Sequence, residues 1–158
     1  MERTNAIGLD KQKTAELANG LNDLLANYSV FYQNTRGYHW NIKGEQFFVL
    51  HEKFEELYND LKLKIDEIAE RILTLGHTPE HNYTEYVTVS QVKESDKVTG
   101  GNACVEGILE AFKVIISMQR VLLDLSDDID DEGTNALMSD YITEQEKLVW
   151  MYAAHLSK

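Results

Sequence analysis

The sequence predicts an all-α protein, a bundle of four long helices with one long crossover between the second and the third. Apolar residues recur at steps of three and four through four separate stretches. The chain holds one proline, Pro79, and its nine glycines lie mostly outside those stretches, which favours long helices over a turn-rich β fold. The links between the stretches run short, long, short. At 158 residues one domain, 1–158, is expected, with enough chain to bury a core.

The first helix is expected from about Asp10 to the region of His39, with Leu17, Leu21, Leu24, Tyr28, Phe31 or Tyr32, Thr35 and His39 along one side. Gly20 interrupts it at a cost of about 1 kcal/mol against alanine. Asn41 to Gly44 is a short turn, so the first two helices are antiparallel neighbours. The second helix follows from Glu45, with Phe47, Leu50, Phe54, Leu57, Leu61, Ile65, Ile68, Ile72 and Leu75 as its stripe and Gly76 as its stop. A long connection then runs to Gly101, in which the stretch from Ser90 to Ser95 makes a short helical turn begun by Ser90. Such a crossover joins helices that run parallel. Asn102 is the expected N-cap of the third long helix, whose stripe reads Val105, Ile108, Phe112, Ile115, Gln119, Leu122 and Ile129. The acidic run Ser126 to Thr134 closes it, and Thr134 or Asp131 caps the last helix. That helix carries Leu137, Tyr141, Glu144, Leu148, Met151 and His155. This pattern describes a ferritin-like four-helix bundle more readily than any other class.

Candidate chemistry gathers on the first two helices. His51 and Glu55 are four residues apart and share a face, as do Asp66 and Glu70, while His39 lies twelve residues before His51. Imidazoles mixed with carboxylates suit iron, zinc or manganese. His51 and Asp66 are fifteen residues apart, about 22 Å along one helix. They point within about 60° of each other, because fifteen steps of about 100° nearly close a turn. One straight helix therefore cannot bring them to one ion, whereas two copies packed antiparallel about a two-fold axis near Tyr58 and Asn59 can. That arrangement makes two equivalent sites per dimer, each shared between subunits. None of the five histidines has a glutamate three residues before it, so the Glu-x-x-His pairs of ordinary di-iron bundles are missing.

Composition sets the outer bounds. The formal net charge of -12 opposes binding to nucleic acid or an anionic membrane and favours cations, although it equally serves solubility. Cys104 is alone, so no internal disulfide forms and a reducing compartment fits. The first residues lack the apolar core of a signal peptide, and no run reaches the roughly 20 apolar residues of a membrane span; a cytoplasmic protein is the expectation. His77 and His81 read as a solvent-exposed pair in a polar loop, and the sequons at Asn27 and Asn82 carry no meaning without secretion.

The residues also carry a resemblance. His-Trp-Asn at 39–41, the second histidine at 51 and the segment Asp66 to Arg71 resemble the Dps miniferritins, and the likeness extends through the last helix with its Trp150. It implies a four-helix bundle with a short helix in the crossover between helices two and three, assembled as a hollow dodecamer of tetrahedral symmetry. It further implies a ferroxidase centre holding two iron ions at the two-fold interface. His39, His51 and Glu55 would come from one subunit, and Asp66 and Glu70 from its partner. Glu70 would bridge the irons, His39 and Asp66 would complete the tighter position, and His51 and Glu55 would hold the looser one. Where relatives often have aspartate, Glu55 keeps the carboxylate on a longer arm. Hydrogen peroxide is the family's preferred oxidant, and Trp40 is a candidate electron donor or an interface aromatic. Asp127, Asp131 and Glu132 fall where the family lines its three-fold pores. DNA binding in the family usually depends on a mobile basic tail. Here Arg3, Lys11 and Lys13 are offset by Glu2 and Asp10, and the last residue adds only Lys158, so little DNA binding is expected. The alternative is a DNA-compacting protein whose metal site is secondary.

Overall fold

The computed structural model describes residues 3–157; Glu2 and Lys158, counted in the charge reading above, lie outside them. Helix α1 spans Lys11–Asn41, α2 Phe47–Thr74, α3 Tyr83–Val89, α4 Gly101–Asp128 and α5 Glu132–His155. Asp10 starts α1 by accepting hydrogen bonds from the backbone N–H groups of Gln12 and Lys13. The Lys13 N–H, then the Arg3 guanidinium, hold its carboxyl below the usual range.

The pairing of side chains fixes the directions. Gly20 meets Leu122, Phe31 meets Phe112 edge-on at 5.1 Å, and Tyr38 meets Gly107, so α1 and α4 are antiparallel. The short turn at 42–46 makes α1 and α2 antiparallel as well. The start of α2 accordingly lies beside the start of α4, where Gly101 packs on Gln46 and Leu50. Thus α2 and α4 run parallel, as the long crossover requires. Gly20 is there for contact: a Cβ on it would stand 2.5 Å from Leu122 Cδ2.

The expected stripes of α1, α2 and α4 form the core, with Leu21, Leu24, Tyr28, Phe54, Leu61, Ile68, Ile108 and Phe112 fully buried. Each such aliphatic or phenyl group contributes about 2 kcal/mol on leaving water. A closed polar triangle sits among them. The Tyr28 hydroxyl donates to Gln119 Oε1, Gln119 Nε2 to Gln145 Oε1 at 2.7 Å, and Gln145 Nε2 back to the Tyr28 oxygen at 2.6 Å. It joins α1, α4 and α5 with every group satisfied.

Four expectations are corrected. The short helix of the crossover lies before Ser90, which ends it as C-cap by donating its N–H to the Tyr86 carbonyl. Asn27 then holds the chain beyond it, accepting from the N–H groups of Gln91 and Val92 and from the Ser90 hydroxyl. The N-cap of α4 is Gly100, and Asn102 is an exposed residue of the first turn; glycine at 101 lets the helix start hard against Gln46. On α5 the buried line is Thr134, Met138, Tyr141, Gln145 and Tyr152, and Met151 is outside. The triangle draws polar Gln145 inward and rotates the helix from its most apolar reading. Lys64, left out of the α2 stripe, is buried, bonded to Asp60 and Glu144 at 2.8 Å each. Burial pulls its pKa down, but those hydrogen bonds outweigh this and leave it above the ordinary lysine value. Among the described residues, no helix is long and apolar enough to cross a membrane.

Candidate metal centre

Helix α1 ends at Asn41, Ile42 turns inward as a buried C-cap, and Gly44 takes φ +112°, so only five residues separate α1 from α2. The hairpin sets the last turn of α1 beside the second turn of α2. Lys43, whose N–H would have closed that last turn on the His39 carbonyl, donates instead to Thr99 O at 2.9 Å. His51 takes its place: its Nδ1 donates to His39 O at 2.7 Å, and His39 Nδ1 donates to His51 O at 2.6 Å. A carbonyl only accepts, so the hydrogen sits on Nδ1 of both rings. Both Nε2 atoms therefore keep a lone pair for a metal ion, oriented by backbone that cannot move independently.

Aromatic contacts fix the rings further. His39 and His51 stack at 3.8 Å between centroids and 13° between planes, and Phe47 stacks on His51 at 4.8 Å. Tyr58 meets His39 edge-on at 5.3 Å, and its hydroxyl lies 3.4 Å from Glu55 Oε1. Partial desolvation, then the Glu55 carboxylate, push the Tyr58 phenol above its ordinary pKa. Sequence reasoning passed over Phe47 and Tyr58 as site residues. The signal for Tyr58 was its place seven residues after His51, on the same face of α2.

The structure thus brings His39, His51 and Glu55 to one end of α2. Asp66 and Glu70 are exposed farther along that helix, about 22 and 28 Å from His51. Among the described residues, no three His, Cys, Asp or Glu side chains of one chain form a metal position. Trp40 is 55% exposed, with the Arg36 guanidinium 4.8 Å from its ring centre. His77 is half-buried and His81 exposed.

Of the three acids expected at a pore, Asp131 has another task. It is 2% exposed, caps α5 through the Thr134 N–H, and pairs with Arg71 at 2.6 Å. Gly133 leaves room for that guanidinium, 2.7 Å from where a Cβ would stand. Asp127 and Glu132 beside it are exposed.

Comparison with known proteins agrees with this architecture. The ferritin-like domain family matches residues 18–158. A Haemophilus influenzae protein described only as uncharacterized is 54% identical over 154 residues, covering 98% of this chain and 96% of its own. The DNA protection during starvation protein of Porphyromonas gingivalis is 42% identical over 151 residues, covering 96% and 95%. A crystal structure of the Dps protein from Vibrio cholerae O1, called a member of a broad superfamily of ferritin-like diiron-carboxylate proteins, superposes with TM-score 0.97. It is 55% identical and covers 99% of this chain and 98% of its own. A Dps protein from Bacillus brevis superposes with TM-score 0.89 at 33% identity, covering 92% and 97%. With this fold, this histidine pair and these relatives, the chain belongs to the Dps miniferritin family of ferritin-like proteins.

Proposed function

We propose that this protein oxidises Fe(II), preferably with hydrogen peroxide, at di-iron sites shared between two copies. The ferric product is stored in a hollow dodecameric shell, which protects against oxidative damage. The observation that carries this reading is the His39–His51 pair, whose reciprocal Nδ1 hydrogen bonds leave two Nε2 donors free beside the Glu55 carboxylate. Nitrogen and oxygen donors of this kind hold Fe(II) and accept the added charge of Fe(III).

The other half of the site would be Asp66 and Glu70 of a second copy, whose carboxylates would complete the ligand set and offset the charge of the iron. Support comes from the face of α2 that a single chain leaves uncovered. His51, Glu55, Tyr58, Lys62, Asp66 and Leu73 lie within about 80° of one another around the helix. Leu73 is 57% exposed, as are Phe48 at 83% and the neighbouring Trp40, an unusual burden of apolar surface for a monomer. A groove of about 770 Å³, lined by Tyr32, Arg36, Trp40, Lys62, Ile65 and Tyr86, continues that face. A two-fold axis near Tyr58 and Asn59 sets His51 of each copy against Asp66 of the other.

Two Fe(II) ions supply the two electrons that hydrogen peroxide accepts on becoming two hydroxide ions, so no hydroxyl radical leaves the site. Asp127 and Glu132 would draw Fe(II) to a pore, where symmetry copies add their potentials. The relatives named for DNA protection are compatible with protection by iron removal alone. A chain of formal charge -12 makes few phosphate contacts, which weighs against the DNA-compacting alternative.

The test is anaerobic loading with Fe(II) followed by hydrogen peroxide. The expected result is two Fe(II) oxidised per peroxide and ferric iron that elutes with the protein. Oxidation no faster than in protein-free buffer, or unaffected by the double substitution His39→Ala, His51→Ala, contradicts the reading.

A further inference from the structure

We infer that Lys62 of one copy is a resident cation in the metal centre of the other. In the metal-free protein its ammonium pairs with Glu55 across the two-fold axis, and a metal ion entering at His51 and Glu55 displaces it. The inference rests on the shared-site reading above and deepens it.

The register that builds the site also builds this pair. An axis between Tyr58 and Asn59 sets position 51 against 66 of the second copy, and it sets 55 against 62, each equidistant from the axis. Glu55 and Lys62 are seven residues apart, so they point within about 20° of each other, on the face that carries His51 and Asp66. Helices packed face to face lie about 8–10 Å apart. The flexible four-carbon stem of lysine, meeting a glutamate arm, spans that gap.

The charges left over in one chain agree. Helix α2 carries four cations, Lys53, Lys62, Lys64 and Arg71. Lys53 pairs with Glu56, Lys64 with Asp60 and Glu144, and Arg71 with Asp131. Lys62 is exposed and, among the described residues, has no ion-pair partner in its own chain, although Asp66 lies one turn away. Glu55 is exposed and equally without a cation. The Tyr58 hydroxyl lies 3.4 Å from its Oε1, which leaves the other oxygen to accept from an ammonium. One unpaired cation and one unpaired acid thus face each other in the only register that completes the site.

The ammonium offsets the gathered carboxylates while the site is empty. It also competes with metal at one position, that of His51 and Glu55. The position of His39 and Asp66 meets no such competitor, so the two fill in order, with His51 and Glu55 second.

The experiment is zero-length carbodiimide coupling of the metal-free assembled protein, reassembled from natural and nitrogen-15-labelled chains. Mass spectrometry is expected to show Lys62 joined to Glu55 between a light and a heavy chain. Saturating Zn(II), a redox-inert probe, is expected to abolish the link. In calorimetric titration with Zn(II), Lys62→Met, which keeps most of the stem and drops the charge, is expected to tighten the second binding step by roughly tenfold. Lys62→Arg, which keeps the charge, is expected not to. A link that is absent, confined to one chain or indifferent to Zn(II), or a second step unchanged in Lys62→Met, each overturns this inference and leaves the iron-oxidising reading standing. A wild-type protein that oxidises no Fe(II) overturns both.

Discussion

His39 and His51 each donate Nδ1–H to the other's backbone carbonyl, at 2.6 and 2.7 Å. The pair therefore closes the α1–α2 hairpin and, with the same hydrogen bonds, leaves both Nε2 atoms as candidate metal donors. Removing His51 is expected to act twice. His51→Ala leaves the His39 carbonyl without a donor at the end of α1 and should cost about 1 kcal/mol of stability before any metal is added. A lower urea midpoint in metal-free protein checks this. An unchanged midpoint means that the imidazole has no structural part.

The Arg71–Asp131 pair ties the end of α2 to the start of α5, with Asp131 side chain 1% and Arg71 side chain 20% exposed. Arg71→Ala strands a buried carboxylate and is expected to cost about 3 kcal/mol. Asp131→Asn retains a capping oxygen and should cost less. Urea denaturation of both variants, with the arginine variant the less stable, is the expected order.

At high pH the fold should weaken in a defined direction. Burial pushes the Cys104 thiol from 9.0 up to about 11. Burial likewise raises Tyr28, Tyr141 and Tyr152, and the Asp60 and Glu144 partners keep Lys64 above 10.5 despite its burial. Between the unfolded and folded pKa values the native state binds more protons than the unfolded chain, so stability falls as pH rises. The decline is expected to start near the thiol's ordinary 9.0. Cys104→Ala should delay the onset to about pH 10, where tyrosine and lysine take over. Denaturant midpoints measured from pH 8 to pH 11 on both proteins test it.

Much of this was legible in the sequence. Steps of three and four gave the stripes of α1, α2 and α4, Gln119 included, because long apolar faces overdetermine a helix. Position along the turn was not legible where polar groups go inward. Gln145 and Lys64 read as surface, and only their partners show why they are buried: Gln119 and Tyr28 across the bundle for the first, Glu144 across the bundle and Asp60 one turn back on α2 for the second. The crossover helix was misplaced because Ser90, a residue type favoured at helix starts, here ends one through its backbone N–H, while its hydroxyl and the N–H groups of Gln91 and Val92 are taken up by Asn27. Half of the candidate site was legible as a hairpin of two histidines. The other half is separated from it by the length of a helix, which no single chain can fold away.

Binding to DNA should be weak. With a formal charge of -12 per chain, a gel shift at low salt and neutral pH is expected to show free DNA even with the protein in excess. Tight retardation that disappears as salt is added would point instead to a local basic surface.

The shared site itself is tested by complementation. One variant carries His39→Ala and His51→Ala, the other Asp66→Ala and Glu70→Ala, and each alone should oxidise Fe(II) little faster than buffer. Unfolded together in equal amounts and reassembled, half of the two-fold pairs join unlike chains, and each such pair holds one intact site of its two. The account predicts recovery of about a quarter of the wild-type rate. Mixed shells confirmed by mass spectrometry with no recovered oxidation would contradict it.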